Sequence, residues 1–151
     1  MTYEELLEEA DREDLIVKEK PLRASDGRIK NRKIAIRSDL LTTAEKACVL
    51  AEELGHHYTT TGSIKDQSNV LSRRQELLAR LWGYERMIGM AGLIKCYEAG
   101  CRSRYEAAEL LGVTEEYLDE ALAAYAQRYG VCRRFGDYVI RFDPLIVAKM
   151  L

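Results

Sequence analysis

The alternation of apolar and polar positions divides the chain into a short series of elements. Thr2 followed three residues later by Glu5 is a capping-box spacing, and it predicts a helix over about Tyr3–Ala10 with Leu6 and Leu7 turned inward. Residues 15–22, LIVKEKPL, read as a strand stopped near Pro21. After the turn residues Ser25-Asp26-Gly27, the run Lys33-Ile34-Ala35-Ile36-Arg37 alternates with the two-residue period of a second strand. The two are expected to form a small antiparallel sheet. Thr42 with Glu45 repeats the capping-box spacing, and Ala47, Leu50, Ala51, Leu54 and Tyr58 recur at helical intervals. That helix should end near Thr59-Thr60-Thr61-Gly62.

Beyond the polar stretch GSIKDQSN, a helical pattern covers about Val70–Met90 and a shorter one Ala91–Ala99, with Gly89 and Gly92 as candidate breaks and Gly100 as the stop. Ser103 with Glu106 caps a helix through Leu111, Gly112 makes the turn, and Thr114 caps a last helix to about Tyr129. This is a helix-turn-helix outline. YVIRF, 138–142, reads as a terminal strand after the turn Phe135-Gly136-Asp137, ended by Pro144. The expectation is one α+β domain, 1–151, in which a small sheet covers the helix over about 43–59 and a helical half follows from residue 91.

Composition narrows what this domain does. At 151 residues with 47% hydrophobic and 32% charged positions, the chain is long enough to bury a core. A net charge of −2 gives no global reason to expect nucleic acid or an anionic membrane. The acidic, helical N-terminus MTYEELLEEADRED is unlike a signal peptide, and no apolar run is long enough to cross a bilayer. Cys48, Cys96, Cys101 and Cys132 form no Cys-x-x-Cys pair, which fits reduced thiols. A soluble cytoplasmic protein is expected.

The chemistry concentrates in VLAEELGHHYTTTG, 49–62, which holds both histidines. Helical residues four apart stack on one face, so Glu52 and His56 share a stripe and Glu53 lies beside it. Zinc peptidases use this geometry in His-Glu-x-x-His: two ligands at i and i+4, and a glutamate that takes a proton from the attacking water. Here Glu52 stands where the first histidine would be. Glu76, in SRRQELLA, is the natural third ligand from another helix. Gly55, Ala79 and Gly83 are small enough to let two helices approach. Read as isolated residues, Glu52 and His56 are equally an ordinary solvated pair worth a few tenths of a kcal/mol.

The run from GRIKNRKIAIRSDLLTTAEKACVLAEELGHHYT through SRRQELLARLWGYERMI resembles the ImmA/IrrE family of metallopeptidases, in the variant carried by many phages and integrated mobile elements. The similarity covers nearly the whole chain. It implies a zincin-like fold, with Glu53 as general base, His56 and Glu76 as zinc ligands and Glu52 in the remaining ligand position. It also implies a protein substrate, a helix-turn-helix repressor whose cleavage releases mobile-element genes. With one histidine and two carboxylates, the ligands neutralise a divalent ion that two histidines and one carboxylate would leave positive. Such a centre should acidify the attacking water less and discriminate less between zinc and manganese. A site without metal is the remaining alternative.

The runner-up is therefore a catalytically impaired relative that binds a partner as a regulator. A DNA-binding regulator is a distant third. The last helix opens Glu115-Glu116 and continues with Asp119 and Glu120, which would repel phosphates. On a regular helix His57 points away from the Glu52 and His56 stripe, Cys48 reads as core filler, and Tyr58 and Trp82 as core or cleft-wall aromatics. Arg73, Arg74, Arg80 and Arg86 read as a solvated helix face, able also to attract an acidic partner.

Overall fold

The computed structural model describes residues 1–60 and 69–151, with side chains described at 1–60 and 72–151. The GSIKDQSN stretch and the Gly62 stop lie outside the described residues, apart from Asn69. Two compact units divide the chain, Met1–Arg86 and Met87–Leu151.

In the first unit, α1 (Tyr3–Arg12) begins at the capping box Thr2/Glu5 with both hydrogen bonds made. Leu6 is fully buried, and Leu7 is intermediate. Three strands follow, β1 (Ile16–Lys20), β2 (Gly27–Lys30) and β3 (Lys33–Arg37), in the order β1-β3-β2. The two segments expected to pair do pair, but in parallel; the antiparallel partner of β3 is β2. The reason is local. Asn31, at φ +57, turns β2 directly back into β3, and β1 then falls on the other side of β3 with the same direction. The sheet is thus mixed.

The inner face of this sheet carries Ile34 and Ile36, buried to 1% and 0% exposure, and packs on α2 (Thr43–Thr59). Thr42 caps α2 by accepting from the Glu45 N–H. Ala47, Leu50, Ala51 and Leu54 are buried as the spacing predicts, whereas Tyr58 is partly exposed. Helix α3 (Asn69–Met87) completes the unit. Polar and aromatic ties hold the three helices together. The buried Glu9 of α1 pairs with Arg86 of α3, His57 of α2 sits 3.4 Å from Glu13, and Tyr58 stacks on Trp82 at 4.8 Å between ring centroids. Burial, with Glu9 and Glu13 nearby, pushes the Tyr58 hydroxyl up to about 12.

The second unit begins where Gly89, at φ +60, breaks the helical run; Gly92 lies inside the next helix, α4 (Gly89–Glu98). It continues with α5 (Arg104–Leu111), capped by Ser103 and closed by left-handed Gly112, and α6 (Glu115–Tyr129), capped by Thr114. Glu115, Glu116, Asp119 and Glu120 are all exposed on α6. The strand expected at 138–142 is there as β5 (Tyr138–Phe142), but it is the middle of an antiparallel meander with β4 (Cys132–Phe135) and β6 (Leu145–Lys149). Pro144 ends β5 as predicted, and the chain returns at once as β6. Tyr125, Phe142, Leu93, Leu118 and Ile140 form the core. Among the described residues no helix is long and apolar enough to cross a membrane.

Replacing Arg86 by alanine strands the Glu9 carboxylate in a buried position, so stability should fall by about 1–3 kcal/mol. Urea denaturation measures this, and adding Glu9→Gln to Arg86→Ala should recover part of the loss.

Candidate metal centre

Helix α2 places Glu52 and His56 one turn apart, and α3 brings Glu76 to them. One donor atom from each of the three side chains lies within 4.8 Å of the other two. His56 Nε2 is 3.2 Å from Glu76 Oε1. The meeting depends on how closely the two helices cross. A Cβ on Gly55 would lie 2.2 Å from the Ala79 carbonyl oxygen, inside any permitted contact, so only glycine allows this approach. Ala79 is itself fully buried, and Gly83 one turn later is buried as well.

Glu53 is more deeply buried than Glu52 and Glu76. It is 8% exposed, and Glu9 is the other buried charged residue of the described chain. Burial, with Glu52 and Glu76 nearby, pushes its carboxyl up to about 8. The edge strand β2 passes directly over it. A Cβ on Gly27 would come within 2.5 Å of Val49 Cγ1 and 2.9 Å of Glu53 Oε1. Gly27 therefore clears the space in which the Glu53 carboxylate sits.

Glu52 has a further partner on α3. Arg80 Nε lies 3.5 Å from Glu52 Oε1, and Arg80 is one turn beyond Glu76. The Glu52 carboxyl is raised by burial and by Glu76, while Arg80 and His56 pull it down. Five charged or chargeable groups from two helices, the carboxyls of Glu52, Glu53 and Glu76 with His56 and Arg80, thus lie close together, and the carboxyls are in the majority.

This set fits a divalent ion. Bonds of about 2.0–2.2 Å place tetrahedral donors roughly 3.4 Å apart. The His56–Glu76 separation, 3.2 Å, is already of that size, and the Glu52 donor lies within 4.8 Å of both. An imidazole with two carboxylates suits zinc and the harder ions alike. Burial first, and the neighbouring Glu52 and Glu76 second, raise the Glu53 carboxyl, and a dication beside it would act in the opposite direction.

Of the residues singled out from sequence, Glu52, Glu53, His56 and Glu76 are brought together. His57 points to Glu13, away from them. Cys48 is buried one turn before Glu52 and is not among the grouped donors. Arg80 corrects the reading of a solvated basic face, because it is directed at Glu52. Its sequence signal was the i, i+4 relation to Glu76. Gly27 was read only as part of a turn; its signal was a glycine opening the alternating Arg28-Ile29-Lys30.

Comparison with known proteins bears on this arrangement. Residues 4–123 match the Peptidase_M78 family model, the IrrE N-terminal-like domain. No curated protein and no solved structure matches the chain.

Gly55→Ala should push α2 and α3 apart and remove metal binding, as read by calorimetric titration with zinc on protein whose circular dichroism remains helical. Gly27→Ala should leave that titration near the native value while displacing Glu53, so the two variants separate ion holding from base placement.

Proposed function

The chain belongs to the IrrE N-terminal-like peptidase family, and from that premise we propose that it is a metal-dependent endopeptidase whose ion is held by Glu52, His56 and Glu76. The observation that carries this reading is the convergence of those three donors beside a buried third acid, Glu53. A divalent cation bound there would polarise the scissile carbonyl and acidify the attacking water. Glu53 acts as the base. Its carboxylate takes one proton of the water as oxygen attacks the carbonyl carbon, then delivers it to the leaving nitrogen as the C–N bond breaks. Its place on α2 directly beside Glu52 suits both transfers. Gly27 keeps the position open, and the Gly55–Ala79 crossing fixes the distance between Glu76 and the α2 ligands.

Zinc is the ion proposed, with manganese the alternative that two carboxylate donors permit. The substrate proposed is a partner protein, a helix-turn-helix repressor of a mobile element, on the strength of the resemblance in sequence. The exposed acids at the start of α6 support a protein-facing role for the second unit over a DNA-facing one.

A second reading is favoured by one specific contact. Arg80 already neutralises Glu52, as expected of a degenerate site that keeps the fold and binds a partner without cutting it. Metal analysis of the purified protein separates the two. The peptidase reading expects stoichiometric metal, lost in Glu76→Ala by more than the roughly 10–100-fold that outer-shell changes produce. Glu53→Gln should then lower cleavage of the partner by about 10²–10⁴-fold with partner binding intact. Arg80→Gln, which frees Glu52, should tighten metal binding roughly tenfold. Native protein that takes up no metal at any tested concentration, yet binds the partner, establishes the second reading.

A further inference from the structure

The outer face of the mixed sheet is chemically unlike the rest of this weakly acidic chain. Strand register puts Ile16, Lys18 and Lys20 of β1, Lys33, Ala35 and Arg37 of β3, and Arg28 and Lys30 of β2 on one side, with Arg37, at the strand end, paired to Asp26 and Asp39. The other side, with Ile34, Ile36 and Gly27, packs on α2. The outer side is concave, a groove of about 850 Å³. Lys18, Lys20, Arg28, Lys30, Arg32 and Lys33 line it, and no carboxylate does. All six are exposed. Arg32 donates to the Glu13 carbonyl; the other five make no ion pair among the described residues. The chain as a whole carries −2, so this concentration of one sign is local.

We propose that this groove docks an extended acidic segment of a partner protein. The floor and the charges together favour that occupant. Ile16, Leu22 and Ala35 also line the groove and suit apolar side chains between the acidic ones. Same-face cations along β1 and β2 recur every two residues, about 6.6 Å, which is the same-side spacing of acids on an extended peptide. Single-stranded nucleic acid is disfavoured because no aromatic side chain lines the groove for bases to stack on. Because α2 and Glu53 lie against the opposite face of the same sheet, the groove is a docking surface apart from the metal centre. The proposal therefore goes beyond the peptidase reading and holds whether or not that centre is active.

Fluorescence anisotropy on the full chain carrying Glu53→Gln, so that no cleavage intervenes, tests it. The probe is a labelled peptide library in which Asp or Glu alternates with apolar residues; a matched Lys/Arg library, an oligothymidylate strand, a DNA duplex and phosphatidylserine vesicles are the comparisons. The acidic library should bind, and the Lys/Arg library should not. Affinity should weaken steadily as salt shortens the screening length. Lys18→Glu with Lys30→Glu should reduce it by at least about tenfold. Both side chains are exposed, and the neutral pair Lys18→Gln with Lys33→Gln gives an independent reduction should the charge reversal disturb folding. No binding of the acidic library, unchanged binding by both variants, or tighter binding of oligonucleotide or vesicles would each overturn the proposal.

Discussion

The approach of α2 to α3 at Gly55 and Ala79 is the constraint on which the first unit depends. No side chain larger than hydrogen fits at position 55, because the Ala79 carbonyl occupies the place of a Cβ. Everything along the two helices follows from that spacing. His56 reaches Glu76 one turn before Ala79, Glu52 reaches Arg80 beside it, and Tyr58 stacks on Trp82 further along. The final turn of α3 then delivers Arg86 to the buried Glu9 of α1. A single backbone contact thus sets the register of a polar seam that includes the candidate centre.

That seam has an uneven charge balance. At its lower end Glu9 is met by Arg86 and Glu13 by His57, so acids and bases match. At its upper end Glu52, Glu53 and Glu76 share only His56 and Arg80. Burial then leaves Glu53 with a carboxyl of about 8, which is far from the ordinary value. Buried carboxylates persist in folded proteins when something compensates them. The matched end ties α1 to α2 and α3, whereas the unmatched end is where a divalent cation would offset the excess of carboxylates. A glutamate rather than a histidine at position 52 adds to that imbalance, so a cation held there would be more strongly attracted and would acidify its water less.

Much of this was legible because helices convert sequence spacing into geometry reliably. Glu52 and His56 four apart, with Leu50 and Leu54 defining the buried side, set the face of α2 without any tertiary knowledge. Glu76 was legible through the small residues that follow it. The sheets were harder. Nothing in LIVKEKPL or KIAIR sets their relative direction, which follows from a four-residue strand, GRIK, inserted between them and a turn at Asn31. CRRF lacks an apolar alternation altogether and becomes β4 only because β5 supplies its backbone partners. The contacts of Gly27 and Arg80 are hidden in the sequence for opposite reasons. One has no side chain to advertise a role, and the other has a side chain that is usually solvated.

The lysines and arginines of β1 and β2 bear on solubility as well as on recognition. Both strands lie at the margins of their sheet, where unpaired backbone groups invite a neighbouring molecule to add on and extend the ladder. Stacking two copies margin to margin would bring Lys18 and Lys20, or Arg28 and Lys30, against like charges. Such repulsion would oppose self-association through this sheet while favouring the approach of a strand of opposite sign.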